Sequence, residues 1–146
     1  NCLNKISGEK FFVLNGDTYT NIKIKKLKKF IDDNKIRSLL VGKEINDINR
    51  YGALEIKNGL VSNIYEKKLN GKGIISVGFY LLEKEIVKKY SPEETFSLEN
   101  DFLPLLIQRE KVSFFQTDGD FIDIGIPKDY IYANKILTEK WREQFS

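Results

Sequence analysis

The sequence predicts an α/β layered domain built on a mixed sheet. Short apolar runs of strand length alternate with segments of helical periodicity. An Asn58-Gly59 dipeptide between two such runs inserts a hairpin in the middle of the chain. The run over residues 73–82 is long and aliphatic enough to lie at the centre of a sheet. A pure series of parallel crossover units would contain no such hairpin. No repeat, low-complexity segment or linker interrupts the pattern, so residues 1–146 are expected to form a single unit.

Taken in order, residues 11–14 are a compact apolar run ending in Asn15-Gly16-Asp17, a buried strand that delivers a loop. Asn21 is placed to cap a helix reaching about Asn34. Residues 38–41 read as a second buried strand, and 51–56 with 60–65 as the hairpin. After the strand over 73–82 a short helix is expected over about 83–89, broken by Ser91-Pro92. Ser97 can cap the next helix, through about Gln108. A strand over 112–116, the turn Thr117-Asp118-Gly119-Asp120 and a short strand over 121–124 follow. Pro127 then suits the first turn of a helix running to about Glu143.

Composition narrows the chemistry. A content of 41% hydrophobic and 12% aromatic residues fits a folded, soluble domain. No apolar run approaches the roughly 20 residues that cross a bilayer, and the first ten residues lack the apolar core of a signal peptide. One cysteine, Cys2, excludes an internal disulfide and suits a reducing cytoplasm. The absence of histidine excludes Ser-His and Cys-His catalysis and histidine-ligated metals. Any metal would be hard and oxygen-ligated, Mg²⁺ or Mn²⁺. There is no methionine, and the chain opens Asn-Cys-Leu, so the translation start is expected either to be processed away or to lie upstream. The basic run Lys23, Lys25, Lys26, Lys28 and Lys29 interleaves with Ile24, Leu27, Phe30 and Ile31 at helical spacing. It reads as a solvated helix face rather than a nucleic-acid or membrane patch.

Candidate chemistry sits at strand ends. Asp17, in Asn15-Gly16-Asp17-Thr18, follows a buried strand, where ligands bind in α/β sheets, and Gly16 would let the backbone approach a bound group. Taken alone, the tetrapeptide reads first as a plain turn, because Gly-Asp is a common turn dipeptide. Asp123 lies between Ile122 and Ile124, in a run too apolar for a surface loop. Such a carboxylate must be paired, bind a cation or hydrogen-bond the turn before the last helix. Together Asp17 and Asp123 suit a divalent cation shared with substrate phosphates. At the hairpin, Gly52 precedes a strand, Glu66 can accept from sugar hydroxyls and Lys67 can pair with a phosphate, but by itself the pair reads first as an ordinary exposed Glu-Lys pair at a strand end. Ser76-Val77-Gly78 offers a wall of little bulk, for a ligand or for helix packing.

In this order the pieces resemble the sugar-1-phosphate nucleotidyltransferases. The resemblance runs from about Phe11 to Tyr132 through Leu14-Asn15-Gly16-Asp17-Thr18, Tyr51-Gly52, Glu66-Lys67, Gly78-Phe79-Tyr80-Leu81-Leu82 and Phe121-Ile122-Asp123-Ile124-Gly125-Ile126-Pro127. The bacterial enzymes that activate D-glycero-D-manno-heptose 1-phosphate with GTP are the branch most resembled, and the Asp-Ile-Gly-Ile-Pro stretch is the most specific motif. The resemblance implies a Rossmann-like fold with a mixed, mostly parallel sheet flanked by helices. It implies attack of a sugar 1-phosphate on the α-phosphorus of a nucleoside triphosphate, releasing pyrophosphate without a covalent enzyme intermediate. Asp17 and Asp123 would hold Mg²⁺, and Lys67 would act on the phosphate. Asn15, Gly16, Gly52, Glu66, Ser76 and Gly78 would line the substrate site. A cytoplasmic role in bacterial polysaccharide biosynthesis follows, with no nucleic-acid or membrane partner and a homo-oligomer left open.

Two departures qualify that picture. The family's N-terminal signature, a glycine-rich loop followed by Arg and a Pro-Lys-Pro segment, is not found in these 146 residues. The chain is therefore expected to be the C-terminal part of a catalytic domain, inactive alone and prone to self-association through an uncovered edge. Ser76 stands where the family often has Asn, which leaves the sugar open. A non-catalytic domain that binds a sugar phosphate or a partner subunit is the alternative. A metal-dependent glycosyltransferase is disfavoured, because Asp17 is followed by Thr18 and Tyr19 rather than completing an Asp-x-Asp.

Overall fold

The structure, a computed structural model, describes residues 3–65, 70–91 and 95–145. After a 3₁₀ turn at Leu3–Lys5 come strand β1 (Lys10–Leu14), strand β2 (Thr18–Thr20) and helix α1 (Ile24–Asp33). Strand β3 (Leu39–Ile45) leads to the hairpin of β4 (Ala53–Lys57) and β5 (Leu60–Tyr65), then to the long β6 (Gly73–Glu83) and α2 (Lys84–Tyr90). A π-helical turn at Leu98–Phe102 runs into α3 (Leu103–Arg109), followed by β7 (Ser113–Gln116), β8 (Phe121–Asp123) and α4 (Pro127–Phe145).

The main sheet has the order β1-β6-β3-β7-β5-β4, and β6 also touches β4. β6 is an interior strand, between β1 and β3, and this follows from its sequence: a strand covered on both faces needs apolar side chains at every position rather than at alternate ones. Tyr80 and Leu82 enter the layer formed with α2, the π-turn and α3. Phe79 and Leu81 enter the opposite layer, formed with α1. The sheet is mixed, but its balance corrects the expectation of mostly parallel strands. Only β3 and β7 run parallel among the described residues, and the other pairings are antiparallel. The hairpin accounts for part of this, with Asn58 and Gly59 at φ values of 53° and 74° in the left-handed region its tight turn requires.

One local expectation also changes. Asn21 does not cap α1: Lys23 occupies that position, without a side-chain cap. The Asn21 backbone is committed elsewhere, its N–H donating to the Asp120 carbonyl at 2.9 Å. Leu27 and Ile31 are buried beneath α1. Their burial is worth about 2 kcal/mol each against about 1 kcal/mol for a lost cap, so packing holds the helix. The lysines at 23, 25, 26, 28 and 29 are exposed, but so is Ile24, at 56%. Residues 121–124 do not join the main sheet. β8 instead pairs antiparallel with β2, a strand with no sequence signal of its own, aligning Thr18 with Asp123.

β1 is an edge of the main sheet, and Phe12 and Leu14 on it are 47% and 60% exposed. An unpaired apolar edge is a template for another strand. The isolated 146-residue chain should therefore sediment as concentration-dependent associated species. A monomer that keeps one sedimentation coefficient over a hundredfold range of concentration, about two decades, would contradict this.

Candidate active site

The sheet's irregularities converge on one cleft. Along β3 the ladder steps from Val41 opposite Phe79 to Gly42 opposite Ser76, leaving Val77 and Gly78 bulged out of β6. Gly78 sits at φ 70°, and a Cβ there would come within 2.8 Å of the Asn15 side chain. Its carbonyl accepts the Asn15 N–H at 2.8 Å. The end of β1 is thus fastened to the bulge, and the chain turns into β2. There the β2–β8 ladder brings the loop carrying Asp17 beside Asp123, with the Ile124 N–H donating to the Asp17 carbonyl at 2.9 Å.

A cleft of about 760 Å³ opens over this junction, lined by Asn15, Asp17, Gly52, Ser76, Gly78 and Asp123, among others. Six residues singled out from the sequence therefore share one wall system. Gly16 does not line it; its surroundings are open, and it has no positive φ that would require glycine. Glu66 and Lys67 lie outside the described residues.

The two aspartates differ in their state. Asp17 is exposed, and its carboxylate has no hydrogen bond among the described residues. Asp123 accepts the Gly125 N–H on Oδ1 at 2.8 Å, so it does hold the turn before the last helix, while Oδ2 faces the Arg50 guanidinium at 3.5 Å. Arg50 also donates to Asp129 at 2.7 Å, and that bond raises the guanidinium further above its ordinary value. It lies 5.6 Å from the centre of the Tyr51 ring, which meets Phe121 edge-on at 5.7 Å. This stack ties the hairpin entry to β8 and sets a positive charge beside Asp123.

Sequence reasoning missed Arg50, and it missed Glu99 and Tyr80, which line the same cleft. Arg50 is a lone charge before Tyr51-Gly52, and only the motif's neighbourhood could have signalled it. Glu99 lies in the first turn after Ser97, which does cap the Asn100 N–H at 3.1 Å, so its acidity looked like ordinary helix-start chemistry. Tyr80 is fully buried, and burial, with the adjoining Glu99 carboxylate, pushes its hydroxyl well above the ordinary tyrosine value. It stays a neutral donor.

Residues 1–140 match the family model described as nucleotidyl transferase. Over 122 residues the chain is 38% identical to D-glycero-alpha-D-manno-heptose 1-phosphate guanylyltransferase of Campylobacter jejuni, covering 83% of this chain and 53% of that protein. The enzyme of the same name from Aneurinibacillus thermoaerophilus is 34% identical over 133 residues, 91% of this chain and 58% of its own length. The crystal structure of HddC from Yersinia pseudotuberculosis superposes with a TM-score of 0.80 at 40% identity, covering 94% of this chain and 59% of that one. A second crystal structure of that protein is complexed with GMP-PN. The chain thus spans little more than half the length of these relatives.

Proposed function

Since the chain belongs to the nucleotidyl transferase family, we propose that the whole protein transfers a nucleotidyl group from a nucleoside triphosphate to a sugar 1-phosphate, giving a nucleotide sugar and pyrophosphate. Residues 1–146 then form the C-terminal part of one catalytic domain. The observation that carries this reading is the single cleft lined by Asp17 and Asp123 together with the low-bulk residues Gly52, Ser76 and Gly78. GTP and a manno-configured heptose or hexose 1-phosphate are the first substrates to try, from the names of the relatives.

Asp17 and Asp123 suit a hard divalent cation, Mg²⁺ or Mn²⁺, because both offer carboxylate oxygens to the cleft. Among the described residues no third acidic, histidine or cysteine side chain completes a metal cluster. The remaining ligands would be phosphate oxygens and water, as Mg²⁺ prefers. When bound, such an ion supplies neutralisation of charge on the phosphoryl group under attack. The residues of the chain do the positioning. Arg50 draws the phosphate end of the substrates toward the aspartates, and the Gly52 and Gly78 backbones let the sugar lie flat. By their place in the motif, Glu66 receives sugar hydroxyls and Lys67 the sugar phosphate. The glycine-rich loop of the family is not among these residues, so the 146-residue chain alone should be inactive. Among the described residues no helix is long and apolar enough to cross a membrane. A cytoplasmic role in building a bacterial polysaccharide precursor fits this reading.

The test is release of pyrophosphate by the full-length protein from GTP and a panel of hexose and heptose 1-phosphates, with and without Mg²⁺. Release that needs both substrates and the cation supports the reading. Tight sugar-phosphate binding with no release would favour the non-catalytic binding domain.

A further inference from the structure

Glu99 faces the same cleft, and nothing in nucleotidyl transfer itself calls on it. Its side chain is exposed, yet one oxygen is held from two sides. Oε1 accepts from the Tyr80 hydroxyl at 2.7 Å and from Asn15 Nδ2 at 3.1 Å. Tyr80 is held in turn: its oxygen accepts from the Ser76 hydroxyl at 3.1 Å, and Ser76 Oγ accepts the Gly78 N–H at 3.2 Å. Each hydroxyl has one proton, so the relay has one direction. The Gly78 amide donates to Ser76, Ser76 to Tyr80, and Tyr80 to Glu99.

This wall has therefore spent its hydroxyl protons within the protein. Ser76 cannot donate to a sugar. What its hydroxyls and carboxylate still offer is acceptor capacity: Glu99 Oε2, which has no partner among the described residues, and the remaining lone pair of Ser76 Oγ. A carboxylate repels phosphate and attracts hydroxyl protons. A sugar phosphate consequently has one favourable orientation, with its phosphate toward Arg50 and its hydroxyl edge toward Glu99.

We propose that Glu99 determines sugar specificity by accepting a hydrogen bond from one hydroxyl of the sugar 1-phosphate, and that Tyr80 and Asn15 are positioning residues that aim its free oxygen into the cleft. The inference rests on the transferase reading and adds to it the group that tells one sugar from another. Glu99→Gln isolates the effect, because the amide oxygen can keep both bonds to Tyr80 and Asn15 while an NH₂ replaces the free acceptor. The full-length protein is assayed with GTP, with the panel sugar 1-phosphate it turns over fastest, and with the monodeoxy analogues of that sugar. Glu99→Gln should raise the KM for the sugar phosphate about 10- to 100-fold, and the KM for GTP far less. One monodeoxy analogue should be poor for the wild type and no poorer for the variant, which identifies the hydroxyl. Tyr80→Phe should raise the same KM by a smaller factor, about 3- to 10-fold, as expected of a group acting through another. If Glu99→Gln leaves the sugar KM within about twofold, or worsens every analogue by the same factor, the proposal fails while the transferase reading stands. If the wild type neither binds nor turns over any sugar of the panel, both fall together.

Discussion

Asp17→Ala and Asp123→Ala should each lower turnover of the full-length protein by about 1000-fold or more, as expected when a group that stabilises developing phosphoryl charge is removed. The two should differ in what they do to the fold. Asp17 is exposed, and its side chain makes no hydrogen bond among the described residues. Its removal should leave Tm within about 1 °C of the wild type. Asp123 holds the Gly125 N–H at 2.8 Å and neighbours Arg50 at 3.5 Å. Losing these partly exposed contacts should cost about 1 kcal/mol, or about 3 °C in Tm for a chain of this size. Pyrophosphate release and thermal melts, read side by side, separate chemistry from folding. Turnover within about tenfold of wild type in either variant would remove that aspartate from the site.

The largest expected effect on stability lies at Gly119→Ala. A Cβ at this position would fall 1.6 Å from the Asn21 carbonyl oxygen and 2.6 Å from its carbon. Both partners are backbone, so no side-chain rotation relieves the clash. The contact also lies where the chain is fastened twice, by the Asn21 N–H to the Asp120 carbonyl at 2.9 Å and by Lys43 Nζ to the Gly119 carbonyl at 2.5 Å. Opening it costs those bonds as well. A destabilisation of about 3–5 kcal/mol, or about 10 °C or more in Tm, is expected. Gly16→Ala is the matched control, since nothing lies within 4 Å of its added Cβ, and it should melt like the wild type. Equal melting of the two variants would mean that the turn and Asn21 are not in contact in solution.

Gly119 shows why some of this architecture was legible in the sequence and some was not. In Thr117-Asp118-Gly119-Asp120 the glycine looks like any turn residue; its requirement comes from Asn21, nearly a hundred positions away. The hairpin was legible because Asn58-Gly59 specifies its own geometry. Asp123 was legible because a charge between isoleucines conflicts with its surroundings. β2 was not, because Thr-Tyr-Thr is too short to show a period and pairs only through the distant β8. The same distance hid the antiparallel balance of the sheet, which depends on which strands meet. It also hid Glu99, whose partners Asn15 and Tyr80 lie 84 and 19 positions away.

The bulge in β6 bears on how such a protein can change by descent. Val77 and Gly78 are two residues beyond what β3 opposes, and two is even. Ile74 before the bulge and Tyr80 after it consequently enter the same layer. Side chains alternate with a period of two along a strand, so gaining or losing one residue here would send everything beyond it to the opposite face. Gaining or losing a pair would not. This wall of the cleft can therefore be lengthened or trimmed by inheritance only in whole dipeptides, with intermediate lengths closed off by the core behind it.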